Sequence, residues 1–383
     1  MHSERQVEFL VLAFLICLVS APFIIGGVII TTVQSDGEIS SDLEPLDFTG
    51  DSAKDDSSSN VESVMIHTPL PEEVRGFYWT AVTARSSRGN ELLEYMLETG
   101  LNTVVIDVKM DNGQLIDATE YSEILGKLYD AGVYRIARVA VMRDGAFAAS
   151  NPDLALGSGP TSDYWRDSTG SAWVDPAAPE VAQYAIELGR QFYEAGFDEI
   201  QYDYVRFASD GAVSSIVYPV YNGLETKIEV MQRFFERVGG TMGEEGIPVS
   251  FDLFGMTFES HHDYNIGQRL ADVLPYADWI SPMVYPSHYP DGFKGLGNPA
   301  MYPYEIVKMA LDSGTRLIAG VYAGSEEELR ARWRPWIQDF DIGAVYTKDL
   351  IEAQIQAARD AGASGWILWN ARNVYEPANY FGK

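Results

Sequence analysis

The chain has 383 residues, of which 46% are hydrophobic and 12% aromatic, and a chain of this size can bury a large core. Asp and Glu number 56 against 27 Lys and Arg, which gives a formal net charge of −29. A surface this acidic repels phosphate backbones and anionic lipid headgroups, which excludes nucleic acid as a primary partner. The one cysteine, Cys17, excludes a disulfide within the chain and a cysteine-based zinc site.

Residues 9–33 carry no charge and are long enough to cross a bilayer, which takes about 20 residues as a helix. We therefore expect residues 1–33 to form a single-pass anchor in the cell membrane. A cleaved secretory signal peptide, which would make the protein secreted, is the alternative. Arg5 precedes this segment, and no Lys or Arg follows it before Lys54, so the rest of the chain is predicted to lie outside the cytoplasm.

Residues 34–71 are rich in Ser, Asp and Glu and almost free of aromatic residues. Such a composition cannot bury enough apolar surface to fold. We interpret this stretch as a flexible acidic linker that holds a folded domain, residues 72–383, away from the membrane.

From residue 72 onward, short apolar runs alternate with amphipathic stretches, which is typical of a parallel α/β fold. The predicted strands are Gly76–Thr83, Asn102–Lys109, Tyr134–Met142, Asp198–Val205, Pro248–Phe254, Asp278–Tyr285, Arg334–Phe340 and Gly365–Trp369. The run Leu317–Tyr322 is an alternative for the seventh strand. The predicted helices are Gly89–Thr99, Tyr121–Ala131, Pro179–Ala195, Glu225–Val238 and Lys348–Ala361.

Eight strands with helices between them predict a (β/α)8 TIM barrel over residues 72–383. A doubly wound open sheet is the second interpretation, although no Gly-rich phosphate loop follows the first strand. We therefore expect no nucleotide cofactor. With five histidines in the chain and no barrel cysteine, we also expect no metal site.

Polar residues at the ends of apolar strands are the candidates for chemistry, because the active site of a barrel lies at the carboxyl ends of its strands. Asp203 ends the fourth predicted strand, and Asp252 is enclosed by apolar residues on the fifth. Two carboxyl groups that face one cavity are what cleavage of a glycosidic bond requires. We expect both residues to be catalytic, although either carboxylate could instead cap the next segment or pair with Arg206.

Further polar and aromatic side chains at the strand ends are candidates for binding substrate. These predicted residues are Asp107, Lys109, Arg143, Gln201, Arg206, Tyr285, His288, Trp336, Gln338, Asp339, Trp369 and Asn370. Asp107 and Lys109 are expected to share one face of their strand. Aromatic residues in the long connections are suited to stacking on the apolar faces of sugar rings.

Six separated motifs resemble one glycoside hydrolase family of bacterial and archaeal barrels, formerly described as a domain of unknown function. In order these are GFYWTAVTARSSRGNELLEYMLETGLNTVVIDVK, DEIQYDYVRF, SFDLFGM, DWISPMVYPSHY, RPWIQDF and ASGWILWNARNVY. The resemblance implies a TIM barrel over residues 72–383. In similar barrels the fourth strand supplies the nucleophile and the fifth the acid, which here implies Asp203 and Asp252.

The fourth strand also resembles a degenerate form of the D-x-x-D-x-D-x-E motif of chitinases. Asp198 and Asp203 match its first and third acids, whereas Gln201 stands at the second. Val205 occupies the position of the catalytic Glu and cannot donate a proton. The departure argues against the substrate-assisted mechanism of that group.

We expect the chain to hydrolyse glycosidic bonds in a cell-surface or extracellular polysaccharide by a two-carboxylate mechanism. A catalytically inactive barrel that binds glycans at the cell surface is the first alternative. A polysaccharide lyase or deacetylase is the second, although deacetylation would require a metal-binding set of His and Asp.

Overall fold

The computed structural model of the protein describes residues 67–159, 163–378 and 380–381. The predicted membrane segment, residues 9–33, and most of the predicted linker lie outside these residues. Within the described ranges, no helix is both long enough and apolar enough to cross a membrane.

Eight parallel strands form a closed barrel in which each strand pairs with the next along the chain and the last pairs with the first. The strands are β1 Val74–Trp79, β2 Thr103–Lys109, β3 Tyr134–Ala140, β4 Glu199–Asp203, β5 Val249–Phe254, β6 Trp279–Met283, β7 Trp336–Gln338 and β8 Gly365–Trp369. All eight fall within the runs predicted from the sequence, apart from the first two residues of β1. The predicted TIM barrel is confirmed.

Helices follow the strands around the outside of the barrel. The main helices are α1 Ser87–Thr99, α2 Ser122–Asp130, α3 Pro179–Glu194, α4 Lys227–Glu244, α5 Leu270–Val273, α6 Pro303–Ile318 and α7 Lys348–Asp360. Shorter helices are Ala81–Ala84, Gly145–Ser150 and Glu326–Arg330. The alternative seventh strand Leu317–Tyr322 is wrong, because α6 continues to Ile318 and a turn follows it.

The sequence determines where these helices begin and end. The Ser86 hydroxyl accepts a hydrogen bond from Arg88 N at the start of α1, and Gly100 ends that helix in the left-handed region, with φ of 81°. At the start of α4, Thr226 and Glu229 form a reciprocal capping box. Gly100 thus ends α1 shortly before the chain enters β2.

The core has two parts, because alternate residues of each strand face opposite sides of the barrel wall. One large cluster lies between the strands and the outer helices. A smaller cluster fills the barrel interior and comprises Tyr78, Val105, Tyr134, Ile136, Tyr285, Trp336 and Ile367, with Met283, Phe340 and Trp369 packed against it. The second cluster is aromatic, and it surrounds the charged side chains described below.

The fourth strand is shorter than predicted because the backbone turns after Asp203. Tyr204 lies in the left-handed region, with φ of 54°, which ends the ladder. The loops after β3 and β4 are long and joined by a short antiparallel ribbon of Gly157–Ser158 and Ile216–Val217. The Trp165 indole N–H also donates to Ala212 O across these two loops, over 3.0 Å.

Candidate active site

Arg138 lies at the centre of the carboxyl end of the barrel and joins three carboxylates from three strands. It comes from the interior face of β3 and is buried. Its Nη1 donates to Asp107 Oδ1 of β2 over 2.5 Å, and its Nε donates to Asp203 Oδ2 of β4 over 3.1 Å. The same Nε lies 3.7 Å from Asp252 Oδ2 of β5. One guanidinium therefore brings the two predicted catalytic acids together.

Asp203 has the more polar environment of the two acids. Its Oδ2 accepts hydrogen bonds from both Nε and Nη2 of Arg138. Its Oδ1 accepts from the backbone N–H of Tyr204 over 2.5 Å, a contact made possible by the left-handed turn at that residue.

Asp252 has the less polar environment. Its side chain is 1% exposed, and its Oδ1 accepts from the Trp336 indole N–H over 2.7 Å. Its Oδ2 is buried and makes no hydrogen bond within the described residues. Burial, together with the nearby Asp203 carboxylate, raises the pKa of Asp252 well above its ordinary value.

The charge balance around Arg138 also favours a raised pKa for Asp252. Three carboxylates, Asp107, Asp203 and Asp252, share one buried cation. Like charges in a buried site cannot all ionise freely, so a proton is retained on the acid with the weakest compensation. That acid is Asp252, because it has the longest contact with Arg138.

The third carboxylate, Asp107, is held from the opposite side by Tyr78. The Tyr78 hydroxyl donates to Asp107 Oδ2, while Arg138 binds Oδ1. Burial raises the pKa of Asp107 in spite of these two contacts. Tyr78 and Asp107 thus fix the position of Arg138, which in turn contacts the two acids.

Aromatic rings pack beside this cluster. The Trp369 ring lies 4.2 Å from the Tyr78 ring and 5.4 Å from the Trp336 ring, measured between centroids. The Arg138 guanidinium lies over Trp369, 5.2 Å from the ring centroid. Burial and the charges of Asp252 and Asp203 raise the pKa of Tyr285.

Comparison with known proteins agrees with the pair of acids found at the carboxyl end of the barrel. Residues 76–375 match the family described as "Putative glycosyl hydrolase domain". The chain belongs to this glycosyl hydrolase family. Its general activity is therefore hydrolysis of glycosidic bonds, and its substrate is a carbohydrate. No curated protein matches the chain.

One solved structure that is similar to this chain has a TM-score above 0.5 and supports the fold. The glycoside hydrolase domain of PgaB (BpsB) from Bordetella bronchiseptica is 14% identical, with a TM-score of 0.56, over 81% of this chain and 95% of that chain. A hypothetical protein from Ruminiclostridium thermocellum is 27% identical, with a TM-score of 0.40, over 46% and 96%. The glycoside hydrolase domain of PelA from Pseudomonas aeruginosa is 14% identical, with a TM-score of 0.45, over 80% and 99%.

In this glycosyl hydrolase, the rim above Asp203 contains two further predicted residues, Arg143 and Arg206. Arg143 donates to Asp111, to Thr169 and, over 2.7 Å, to Asp167. Arg206 donates to Phe207 O over 3.1 Å and to Ser209 Oγ over 2.9 Å. The structure thus places both arginines in the loops that follow β3 and β4.

The remaining predicted residues of β2 and β4 lie away from the acids. Lys109 contacts Asp144 over 2.7 Å, because a register shift follows Asp107 and directs the ammonium group away from the interior. The expectation that Asp107 and Lys109 share a face is therefore wrong. Gln201 lies in the interior and donates to Ser281 Oγ over 3.0 Å.

The residues predicted on the last two strands mainly hold loops in place. Gln338 accepts from Ser287 N over 3.1 Å and donates to Phe340 O over 2.8 Å. Asn370 donates to the carbonyls of Asp339 and Val374. Asp339 is buried beside Glu376 and not beside the two acids; burial raises its pKa to about 7.

His288 is also buried, next to the rings of Tyr285 and Phe340, at centroid distances of 5.2 and 5.8 Å. Burial lowers the pKa of its imidazole to about 4. His288 is therefore a neutral side chain at physiological pH, and it belongs to the aromatic lining.

Sequence reasoning missed the residue that organises the site, Arg138. A charged residue inside an apolar strand was the available indication, because alternation places Arg138 on the same face as Ile136 and Tyr134. Tyr78 was missed for a different reason: tyrosine is common in buried strands, and no pattern distinguishes one that binds a carboxylate.

The acid Asp198, matched to the first position of the chitinase motif, lies at the opposite end of the barrel. It precedes β4 and accepts hydrogen bonds from Arg135 and from Thr68 N. Val205 is fully buried in the core. The structure thus places neither residue with the Arg138 cluster.

Proposed function

We propose that the barrel hydrolyses O-glycosidic bonds of a cell-surface or extracellular polysaccharide, with Asp203 and Asp252 as the acting carboxyl groups. The observation that carries this proposal is the unequal environment of the two acids around Arg138. Asp203 accepts three hydrogen bonds, whereas Asp252 is buried and one of its oxygens makes no hydrogen bond within the described residues. Glycosidases use such a pair, one ionised and one protonated.

In the proposed reaction, Asp252 gives its proton to the leaving glycosidic oxygen as the bond from that oxygen to the anomeric carbon breaks. Asp203 attacks the anomeric carbon or stabilises its positive charge. Water then completes hydrolysis, and its proton returns to Asp252. Arg138 stays bound to Asp203 Oδ2, which leaves Oδ1 beside the Tyr204 N–H as the oxygen that faces the sugar.

The separation of the acids is compatible with retention of configuration. Asp203 Oδ2 and Asp252 Oδ2 lie 3.1 and 3.7 Å from one nitrogen, Arg138 Nε. These oxygens are therefore less than about 7 Å apart, a limit that includes the ~5–5.5 Å of retaining enzymes and little of the ~6.5–9.5 Å of inverting ones.

Glycan binding without hydrolysis is a second candidate function, favoured by one observation. Arg138 contacts both acids at once, and the Asp252 side chain is 1% exposed. In this alternative the cluster is a buried ion network, and the aromatic lining alone binds sugar.

We also propose that the barrel is held at the outer face of the cell membrane. The uncharged segment at residues 9–33 and the acidic linker after it support this location. Cell fractionation combined with protease treatment of intact cells tests it. Protection of the barrel from an external protease contradicts the proposed orientation.

The decisive experiment for the activity is a screen of the full-length chain against a panel of surface polysaccharides, with release of reducing ends as the readout. We expect Asp203→Asn to lower turnover by about 10²–10⁴-fold and to leave the melting temperature unchanged. The matched control is Asp153→Asn, which alters an exposed carboxylate.

Unchanged turnover in Asp203→Asn contradicts the catalytic assignment. Binding of a polysaccharide by the wild-type chain without release of reducing ends supports the second candidate function.

A further inference from the structure

Arg206 differs from the other buried arginines of the described residues in having no carboxylate partner. Five arginines of the described residues are buried. Arg135 pairs with Asp198, Arg138 with Asp107 and Asp203, Arg143 with Asp111 and Asp167, and Arg334 with Glu199. Arg206 is 7% exposed, and no carboxylate of the described residues lies within ion-pair distance of it. Carboxylates are not scarce in a chain with 56 of them.

The guanidinium of Arg206 is held in a fixed plane by its neighbours. It lies over the Trp173 ring, 5.0 Å from the centroid, and 5.7 Å from the centroid of Tyr204. Its Nη1 is bound by Phe207 O and Ser209 Oγ. The Asp210 carboxylate nearby is engaged elsewhere, because it accepts hydrogen bonds from Ser168.

One edge of this guanidinium remains available. Its Nε and Nη2 make no hydrogen bond within the described residues, and neither is a buried atom. The same edge of Arg135 binds Asp198 through two parallel hydrogen bonds of 2.9 and 2.7 Å. The edge formed by Nε and Nη2 is thus a bidentate carboxylate site elsewhere in this barrel.

Arg206 lies beside the acid pair. It follows Asp203 by three residues, and Tyr204 lies between them at the strand end with its ring near both Arg206 and Arg143. The charge of Asp203 acts on Arg206, while burial lowers the pKa of the guanidinium without neutralising it. Arg206 therefore lies on the segment that leaves the carboxyl end of β4 directly after Asp203.

We propose that Arg206 binds a carboxylate of the substrate, so that the polysaccharide cleaved by this barrel is an acidic one, with uronic acid or another carboxyl-bearing unit next to the scissile bond. The inference rests on the proposed function. A planar, always-charged fork fixed by stacking matches the two oxygens of a carboxylate. It also explains why a buried cation is tolerated without a partner in the protein.

The net charge of −29 does not oppose this inference at the site. Charges farther than about 8 Å from the contact are largely screened at physiological salt. The overall acidity slows the encounter with an acidic polymer, and Arg206 supplies the local attraction that offsets it.

The test compares polygalacturonate, alginate and hyaluronan, each with its carboxyl-reduced neutral form, for binding to the full-length chain in detergent by titration calorimetry. We expect the wild-type chain to bind at least one carboxylate polymer more tightly than its reduced form. Arg206→Gln should weaken binding of that polymer by about tenfold or more and leave binding of the reduced form unchanged. Arg206→Lys, which keeps the charge and loses the fork, should be intermediate.

The matched control is Arg166→Gln, which removes an exposed arginine whose Nη1 binds only Gly170 O within the described residues, and which should change neither affinity. Equal losses on both polymer forms, no loss at all, or no binding of any carboxylate polymer would overturn the proposal.

The proposed hydrolysis and the proposed role of Arg206 fail in different ways. Hydrolysis of a neutral polysaccharide that Arg206→Gln leaves unchanged overturns the inference alone. Arg206-dependent binding without release of reducing ends overturns hydrolysis alone.

Discussion

The two ends of β4 hold buried carboxylates in opposite circumstances. Before its first residue, Asp198 accepts hydrogen bonds from Thr68 N and from N, Nε and Nη2 of Arg135. At its last residue, Asp203 shares Arg138 with two other carboxylates. A one-to-one pair with every oxygen satisfied serves the fold, whereas an excess of acids over cations leaves a proton available for chemistry.

The barrel interior shows the same gradient from one end to the other. Near the amino ends of the strands, Glu199 is bound by Arg334, Ser250 and Tyr134. Farther up, neutral Gln201 meets Ser281. The imbalance of charge is confined to the carboxyl end, where barrels bind their substrates.

The largest expected effect is that of Asp252→Asn, which should lower hydrolysis by about 10²–10⁴-fold. Asn resembles the protonated acid and cannot give up a proton. Because burial raises the pKa of Asp252 in the folded state, protonation of this residue stabilises the fold, and the wild-type chain loses that stability as pH rises through the folded pKa. The variant should therefore become more stable relative to wild type with increasing pH, as measured by denaturant unfolding. A variant that is less stable at every pH contradicts the assignment of the proton.

Asp198→Asn should have the next largest effect, on stability alone. It leaves Arg135 buried without its carboxylate, and removing one partner of such a pair costs about 3–5 kcal/mol of unfolding free energy. Asp203→Asn should change that free energy by less than about 1 kcal/mol, because Arg138 keeps Asp107. Turnover per folded molecule should be normal in the first variant and lost in the second. Similar losses of stability in both would remove the contrast between the two ends.

Asp339→Asn should have the smallest effect. Asp339 lies after β7, outside the Arg138 cluster, and burial raises its pKa to about 7. Wild-type stability should therefore fall as pH rises from about 4, the unfolded value, through 7. The variant should match wild type near pH 4, gain stability at pH 8 and retain hydrolysis. A loss of hydrolysis would place Asp339 in the site with Asp203.

Much of this architecture was predictable from local pattern. Each barrel strand is a short apolar run between helix and turn signals, and the two acids stood out because the runs around them are apolar. The end of β4 was not predictable, since a left-handed conformation is uncommon for a residue other than glycine, and Tyr204 adopts it. Nor was the position of Lys109, because a one-residue register shift changes the face to which a side chain points.

The hydrogen-bond partners of Asp203 and Asp252 could not be predicted from the sequence for a similar reason. Both Arg138 and Arg206 are close to Asp203 in the fold. Which of the two arginines binds Asp203 depends on the direction of each side chain in space. In the structure Arg138 binds Asp203, whereas Arg206 has no carboxylate partner among the described residues.

The division of roles between the acids is tested most directly by infrared difference spectroscopy at neutral pH, which detects the C=O stretch of a protonated carboxyl group. We predict that the wild-type spectrum contains a component that disappears in Asp252→Asn and persists in Asp203→Asn. A spectrum that loses no component in Asp252→Asn, or a component lost in Asp252→Asn that is also lost in Asp203→Asn, would contradict the account.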